Sequence, residues 1–163
     1  MLFRSKGGKL NHGAVANTMQ YLDSVRMIEL LGGGITVVPY QGGAASTRAL
    51  LANEIQSNLT IYSNFVGQYK AGKVKALVVT APQRSAVLPE IPTAREAGVN
   101  FDAGIWYAYW TTPGTPAATV KTLSATVADT IRNSSVTEKV KEQGLVPVGS
   151  SAEELAEIGR AHV

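Results

Sequence analysis

The sequence contains no cysteine and has few charged side chains. Without cysteine, the chain of 163 residues can form neither a disulfide nor a thiolate metal site. Charged residues make up 17% of it, against about 25% in typical soluble domains. The formal net charge of +3 is spread thinly along the chain. A concentrated basic face is therefore absent, and we expect no nucleic-acid partner.

Long apolar runs are also missing. No run approaches the about 18 consecutive apolar residues that span a bilayer, so we expect no membrane insertion. The first ten residues, M-L-F-R-S-K-G-G-K-L, lack the apolar core of a secretory signal. We therefore expect the chain, as written, to be cytoplasmic.

Motifs for catalysis and metal binding are not found. The two histidines, His12 and His162, have no second ligand at metal spacing, and no hydrolase or paired-carboxylate signature occurs. The segment from Gly67 to Val74 approaches a phosphate-loop pattern, but Val74 replaces the hydroxyl that would hold magnesium. The sequence predicts a protein that is not an enzyme and that has no cofactor and no metal site.

Short β-branched runs alternate with helical patterns through the first two thirds of the chain. Such alternation predicts parallel strands in an α/β layered fold. A helix is expected to follow a cap at Asn17 or Thr18 and to end at Gly32. A strand holding His12 precedes it, and further strands are predicted at residues 35–40, 55–61, 74–79 and 105–111, with helices after Gly43, through Phe65 to Tyr69, and at 93–97.

The last third of the chain has helical patterns. Thr115 is expected to be the N-cap of one helix and Pro116 its first helical residue. Ser135 with Glu138, and Ser151 with Glu154, have the spacing of capping boxes, and residues 145–148 could form a strand between those helices. We therefore predict an α/β domain over residues 1–112 and a mainly helical segment over 113–163 that packs on it as one compact unit.

Two loops lead from a predicted strand directly into a helix. Residues 41–45, Q-G-G-A-A, and the pair Asn17-Thr18 would present free backbone N–H groups and the positive end of a helix dipole. Both would lie at the carboxyl ends of parallel strands, where open α/β sheets bind ligands. Each loop is explained either by simple capping or by a carboxylate site.

An aromatic cluster occupies the fifth predicted strand, residues 105–111. Strand geometry sends Trp106 and Trp110 to one face, and Tyr107 and Tyr109 to the other. These rings could line a pocket or pack in the core.

Several motifs follow one another in order: V-P-Y-Q-G-G, A-G-K-V-K-A-L-V-V-T, L-P-E-I-P-T-A-R-E-A-G, W-Y-A-Y and P-G-T-P-A. In these the chain resembles the solute receptors of tripartite tricarboxylate transporters, the Bug receptors. The resemblance implies a three-layer αβα fold of the type II periplasmic-binding-protein class, with a single lobe and a helical C-terminal segment. That family is periplasmic.

The resemblance also implies the ligand-binding residues of a carboxylate site. They would be the turn at Ala16, Asn17 and Thr18, the turn at Gly42, Gly43 and Ala44, and Trp106. Measured against the family pattern, the chain lacks the N-terminal lobe. Tyr21, Val25 and Thr60 depart from the residues common in the family.

Two functions follow as hypotheses. The first is a non-enzymatic binding domain for a small carboxylate, either an organic acid or an acidic amino acid. The second is a remnant that acts as a self-associating or partner-binding module without a small ligand. Under both we expect a homo-oligomer, a dimer formed through the surface left by the missing lobe.

Overall fold

The structure is a computed structural model that describes the backbone of residues 10–161 and the side chains of residues 10–157. His162 lies outside the described residues. So do residues 1–9, which belong to the segment from which we predicted a cytoplasmic chain. The elements run in the order β1–α1–β2–α2–β3–α3, followed by α4, α5 and α6.

The first strand-helix-strand unit follows the sequence pattern closely. β1 covers Leu10–Val15, α1 covers Met19–Leu30 and β2 covers Ile35–Tyr40. Thr18 is the N-cap residue of α1. Gly32 adopts a φ of 95° just past the helix end, a left-handed conformation that glycine accepts without a Cβ clash. The predicted start and stop of this helix are both confirmed.

The next elements are α2 at Gly43–Leu51, β3 at Ser57–Asn58 and α3 at Tyr62–Lys70. β3 is only two residues long, whereas the sequence predicted a strand over 55–61. Within the described residues the sheet has three strands in the order β2-β1-β3. Both pairings are parallel.

Helices cover both faces of this sheet. Neighbouring residues of a strand point to opposite faces. His12 contacts Ser24 of α1, whereas a Cβ built on Gly13 would lie 3.4 Å from Cβ of Ser46 in α2. α1 and α2 therefore lie on opposite sides of β1, as two right-handed crossovers require. This is the predicted three-layer αβα arrangement.

The core of this part of the chain is formed by small and aliphatic side chains with one aromatic ring. Phe101 and Ile55 are almost completely buried. The other buried apolar residues of this part are Leu10, Ala14, Ile28, Ala49, Leu88, Ile91 and Ala94.

Two of the predicted strands are wrong. Residues 74–79 form no strand; Val79 makes a single parallel bridge with Thr93, and Leu77 is 55% exposed. Residues 105–111 have no regular structure. A β-branched or aromatic run becomes a strand only when a neighbouring strand accepts its hydrogen bonds and covers its face. In the described part of the chain, the first run has only this single bridge and the second run has none.

The predicted short helix at 93–97 is a hydrogen-bonded turn instead. The N–H of Ala97 donates to the carbonyl of Thr93 at 3.0 Å. Glu96 accepts from the N–H of Thr93, and its own N–H donates to the Thr93 hydroxyl. Gly98 then leaves the turn with a φ of 88°. The start and stop signals were real, but only one turn lies between them.

The C-terminal part is helical, as predicted. α4 covers Ala117–Arg132, α5 covers Ser134–Glu142 and α6 covers Ala152–Ala161. Pro116 itself is the N-cap residue of α4. The 145–148 segment forms no strand, because no strand neighbours it among the described residues.

One of the two predicted capping boxes is correct. Glu154 accepts from the N–H of Ser151, and the Ser151 hydroxyl accepts from the N–H of Glu154. The other is wrong, because Asn133 caps α5 by accepting from the N–H of Ser135. Asparagine is at least as good an N-cap as serine, and it lies two residues earlier.

The chain divides into two compact units, and the boundary in the sequence lies between Ile105 and Trp106. We placed the corresponding boundary between residues 112 and 113. The packing of the helical segment on the α/β part stays a prediction.

Candidate functional site

The carboxyl ends of three parallel strands lie at one edge of the sheet. Val15 at the end of β1 pairs with Tyr40 at the end of β2, and Gly13 pairs with Asn58 of β3. A helix starts directly after each strand. Three helix N-termini, those of α1, α2 and α3, therefore face the same edge. We call this the amide edge.

The amide edge has backbone donors without acceptors. The first N–H groups of a helix have no partner within it, and none of the three N-cap residues supplies a side-chain acceptor. Nor does any first turn hold an acidic side chain. Among the described residues, no hydrogen bond uses the N–H groups of Met19, Gln20, Gly43, Ala44, Tyr62 and Ser63.

The β1–α1 loop is held in place by its own polar groups. The N–H of Ala16 donates to the carbonyl of Tyr40 at 2.8 Å, so this amide joins two loops and is not free. Asn17 has a φ of 57°, and the Thr18 hydroxyl donates to the carbonyl of Val15 at 2.7 Å. The turn at residues 16–18 thus presents the N-terminus of α1 at the amide edge.

The β2–α2 loop packs tightly against α3. Gly42 is extended, with a φ of 171°, and has open space around it. Gly43 does not: Nδ2 of Asn64 occupies the position where a Cβ would be, and Oγ1 of Thr60 lies 3.0 Å from it. Nδ2 of Asn64 also donates to Oγ1 of Thr60 at 2.9 Å.

Sequence reasoning missed Asn64 and the place of Thr60 beside it. A signal was available, because a helix that begins with glycine gives up helix propensity. Such a glycine indicates that another group approaches the backbone closely. Which group approaches could be learned only from the three-dimensional structure, since Asn64 is 21 residues further along the chain.

Hydroxyl and side-chain amide groups fix the start of α2. The carbonyl of Gly43 accepts from the hydroxyls of Ser46 and Thr47, at 3.0 and 2.8 Å. Nδ2 of Asn58 in turn donates to Oγ of Ser46 at 3.0 Å. Oδ1 of Asn58 is buried and has no hydrogen-bond partner. The network therefore connects β3 to the first turn of α2.

His12 lies on the face of the sheet that α1 covers and is 2% exposed. Its Nε2 is 3.1 Å from Oγ of Ser24, and its Nδ1 is 2.8 Å from Oγ of Ser57. The Ser24 hydroxyl donates its proton to the carbonyl of Gln20, so it must accept from Nε2–H. Nδ1 then accepts from Ser57. Burial lowers the pKa of His12 to about 4, and the neutral imidazole is a structural link.

The remaining predicted site residue, Trp106, belongs to the other compact unit. Its side chain is 54% exposed, and its ring centroid lies 6.5 Å from that of Trp110. Tyr107, Tyr109 and Trp110 are also exposed, at 67%, 79% and 75%. These rings do not form a core in the structure.

The described residues contain no group of three side chains suited to a metal ion. None of the helices within residues 10–161 combines the length and the apolar character that crossing a bilayer requires.

Comparison with known proteins identifies a family. The model for the tripartite tricarboxylate transporter family receptor matches residues 2–162. A relative from Agrobacterium vitis, described as a UPF0065 protein in the TAR-I ttuE-ttuC' intergenic region, is 34% identical over 121 residues, which are 74% of this chain and 35% of the relative. The chain spans between about a third and a half of the curated relatives that it matches, with shares of 35%, 46% and 47%.

Two solved structures with ligands are also similar. Rpa4515 of R. palustris with adipate has 29% identity and a TM-score of 0.83, covering 97% of this chain and 54% of that one. MatC from Rhodopseudomonas palustris with bound malate has 28% identity and a TM-score of 0.74, covering 90% of this chain and 50% of that one.

Proposed function

Because this chain belongs to the tripartite tricarboxylate transporter receptor family, the Bug receptors, we propose that its amide edge binds one carboxylate group of a small organic acid. The family consists of solute-binding receptors and not of enzymes. The two similar receptors described above hold adipate and malate, and both ligands are dicarboxylates. A dicarboxylate is therefore the ligand class that we propose for this chain.

The observation that carries this proposal is the set of free N–H groups at the amide edge. Helix N-termini attract anions because their free N–H groups and the positive end of the dipole point outward. An ionised carboxylate only accepts hydrogen bonds, so it matches a surface that only donates. The absence of acidic side chains from the first turns of α1, α2 and α3 leaves the donors unopposed.

The predicted residues contribute unequally to this site. The backbone N–H groups of Gly43 and Ala44 are its centre, while Ala16, Asn17 and Thr18 hold the neighbouring helix start in place. Gly42 gives the loop its extended entry into α2. A ligand contact of Trp106 stays a prediction of the family resemblance.

Isothermal titration calorimetry with adipate and malate tests the proposal. The matched control ligand is adipamide, which has the same length. In it an NH2 group, which donates hydrogen bonds, replaces one oxygen of each carboxylate. We expect adipate or malate to bind and adipamide not to bind. If adipamide binds as tightly as adipate, the carboxylate proposal is wrong. If neither dicarboxylate binds at millimolar concentration, this chain has no site for them.

Self-association is a second candidate function, and a specific observation favours it. Large apolar side chains are exposed on α1, where Met19 is 63% and Leu22 59% accessible. Exposed apolar patches of this kind mark interaction surfaces. Multi-angle light scattering on the purified chain should then give about twice the monomer mass of 17.2 kDa. A single species at the monomer mass would contradict a homodimer.

A further inference from the structure

We propose that Asn64 is a specificity-determining residue of the amide edge, which selects an ionised carboxylate through a side-chain amide donor beside the N-terminus of α2. This inference rests on the proposed function. It adds a side chain to a site that otherwise consists of backbone groups.

The Asn64 side chain lies at the start of α2. Its Nδ2 occupies the space that a Cβ of residue 43 would need. The amide group of α3 thus lies directly against the first residue of α2. Only glycine permits this approach, because a side chain at residue 43 would expel the amide.

Asn64 and Thr60 carry protons that no acceptor of the described chain takes up. The Asn64 amide carries two protons, and one of them is donated to Thr60. The Thr60 oxygen accepts that bond and keeps its own proton. Neither the second Asn64 proton nor the Thr60 proton has an acceptor in the described part of the chain.

Together with the free N–H groups of Gly43 and Ala44, these protons make four neighbouring donors. The backbone carbonyl of Gly43 already accepts from the hydroxyls of Ser46 and Thr47. A group that only accepts hydrogen bonds can satisfy such a cluster, and an ionised carboxylate is that group. A neutral amide or an amine would bring further donors.

Asn64→Asp tests this inference in two independent ways. Asparagine and aspartate have nearly the same shape, and a negative charge in the first turn of α3 suits its dipole, so the fold is kept. The substitution places a carboxylate where the ligand carboxylate is proposed to bind. The matched control is Asn100→Asp, which makes the same change at an exposed position outside the amide edge.

The first readout is ligand binding. Like charges placed together weaken binding strongly, so we expect adipate or malate to bind Asn64→Asp at pH 7 about tenfold or more weakly than the unchanged chain. Asn100→Asp should change affinity by less than about threefold, because an exposed charge outside the amide edge is screened. Equal affinities for Asn64→Asp and the unchanged chain would overturn the inference while leaving the proposed function intact.

The second readout needs no ligand. The new carboxylate of Asn64→Asp should itself accept from the free donors, so its pKa, measured by NMR titration, should lie below the ordinary value of about 3.9. The melting temperature should rise at pH 7 and not at pH 2, and Asn100→Asp should show no such rise. If no ligand binds but these shifts occur, the proposed function fails and the donor cluster stands. If the new carboxyl group titrates normally, the donor cluster is wrong.

Discussion

His12 differs in charge between the folded and the unfolded chain under mildly acidic conditions. Burial holds it neutral, with a folded pKa of about 4 against the ordinary value of about 6.5. Between these values the unfolded chain binds a proton that the folded chain does not. The free energy of unfolding should therefore fall as the pH drops from 6.5 to 4, by about 3 kcal/mol in total.

Urea unfolding at pH 7, 5.5 and 4 measures this loss. His12→Gln is the control, because glutamine can donate and accept at the same place but does not titrate. It should be less stable at pH 7 and should lose less stability on acidification. The same acid dependence in both chains would contradict a buried neutral histidine.

Alanine is expected to have opposite effects at the neighbouring residues Gly42 and Gly43. Gly43→Ala drives the Asn64 side chain from its place and breaks its hydrogen bond with Thr60. We expect a loss of about 1 kcal/mol in the free energy of unfolding, together with weaker dicarboxylate binding. Gly42→Ala should be tolerated, because its φ of 171° is extended backbone and nothing lies within 4 Å.

A double-mutant cycle identifies the cause of the Gly43→Ala effect. Gly43→Ala placed in an Asn64→Ala background should have a much smaller effect on stability than it has alone, because the obstructing amide is gone. Equal effects in both backgrounds would show that the close approach of Asn64 to Gly43 does not matter.

At the scale of elements, the cap of α5 separates two interpretations. The sequence pattern assigned the cap to Ser135, but in the structure the Asn133 side chain accepts from the N–H of Ser135. Asn133→Ala should therefore destabilise the chain by about 1 kcal/mol. Ser135→Ala should cost no more than a few tenths, since it loses one exposed hydroxyl contact. Thermal unfolding followed by circular dichroism measures both, and the reverse order of effects would contradict the structure.

The elements that the sequence predicted well are those with local signals. The bounds of β2 and the glycine stop at Gly32 depend on neighbouring residues alone, so the pattern sufficed. The runs at 74–79 and 105–111 have the composition of strands, but a strand also requires a partner. That requirement is not local, and composition could not reveal that it is unmet in the described residues.

The candidate site was predictable to the same degree. The loops after β1 and β2 were found because a strand followed by a helix start is visible in the sequence. Asn64 was not found, because its contact with Gly43 depends on how α3 packs beside α2. Local pattern thus located the backbone part of the site, and tertiary packing added the side chain.

For the whole molecule, the proposed function is the binding of a dicarboxylate at the amide edge. Titration of the ¹⁵N-labelled chain with adipate, monitored through the amide chemical shifts, tests this function. We predict that the largest shifts fall on the six free N–H groups, those of Met19, Gln20, Gly43, Ala44, Tyr62 and Ser63. Saturable shifts confined to α4, α5 and α6, with none at these six amides, would contradict it.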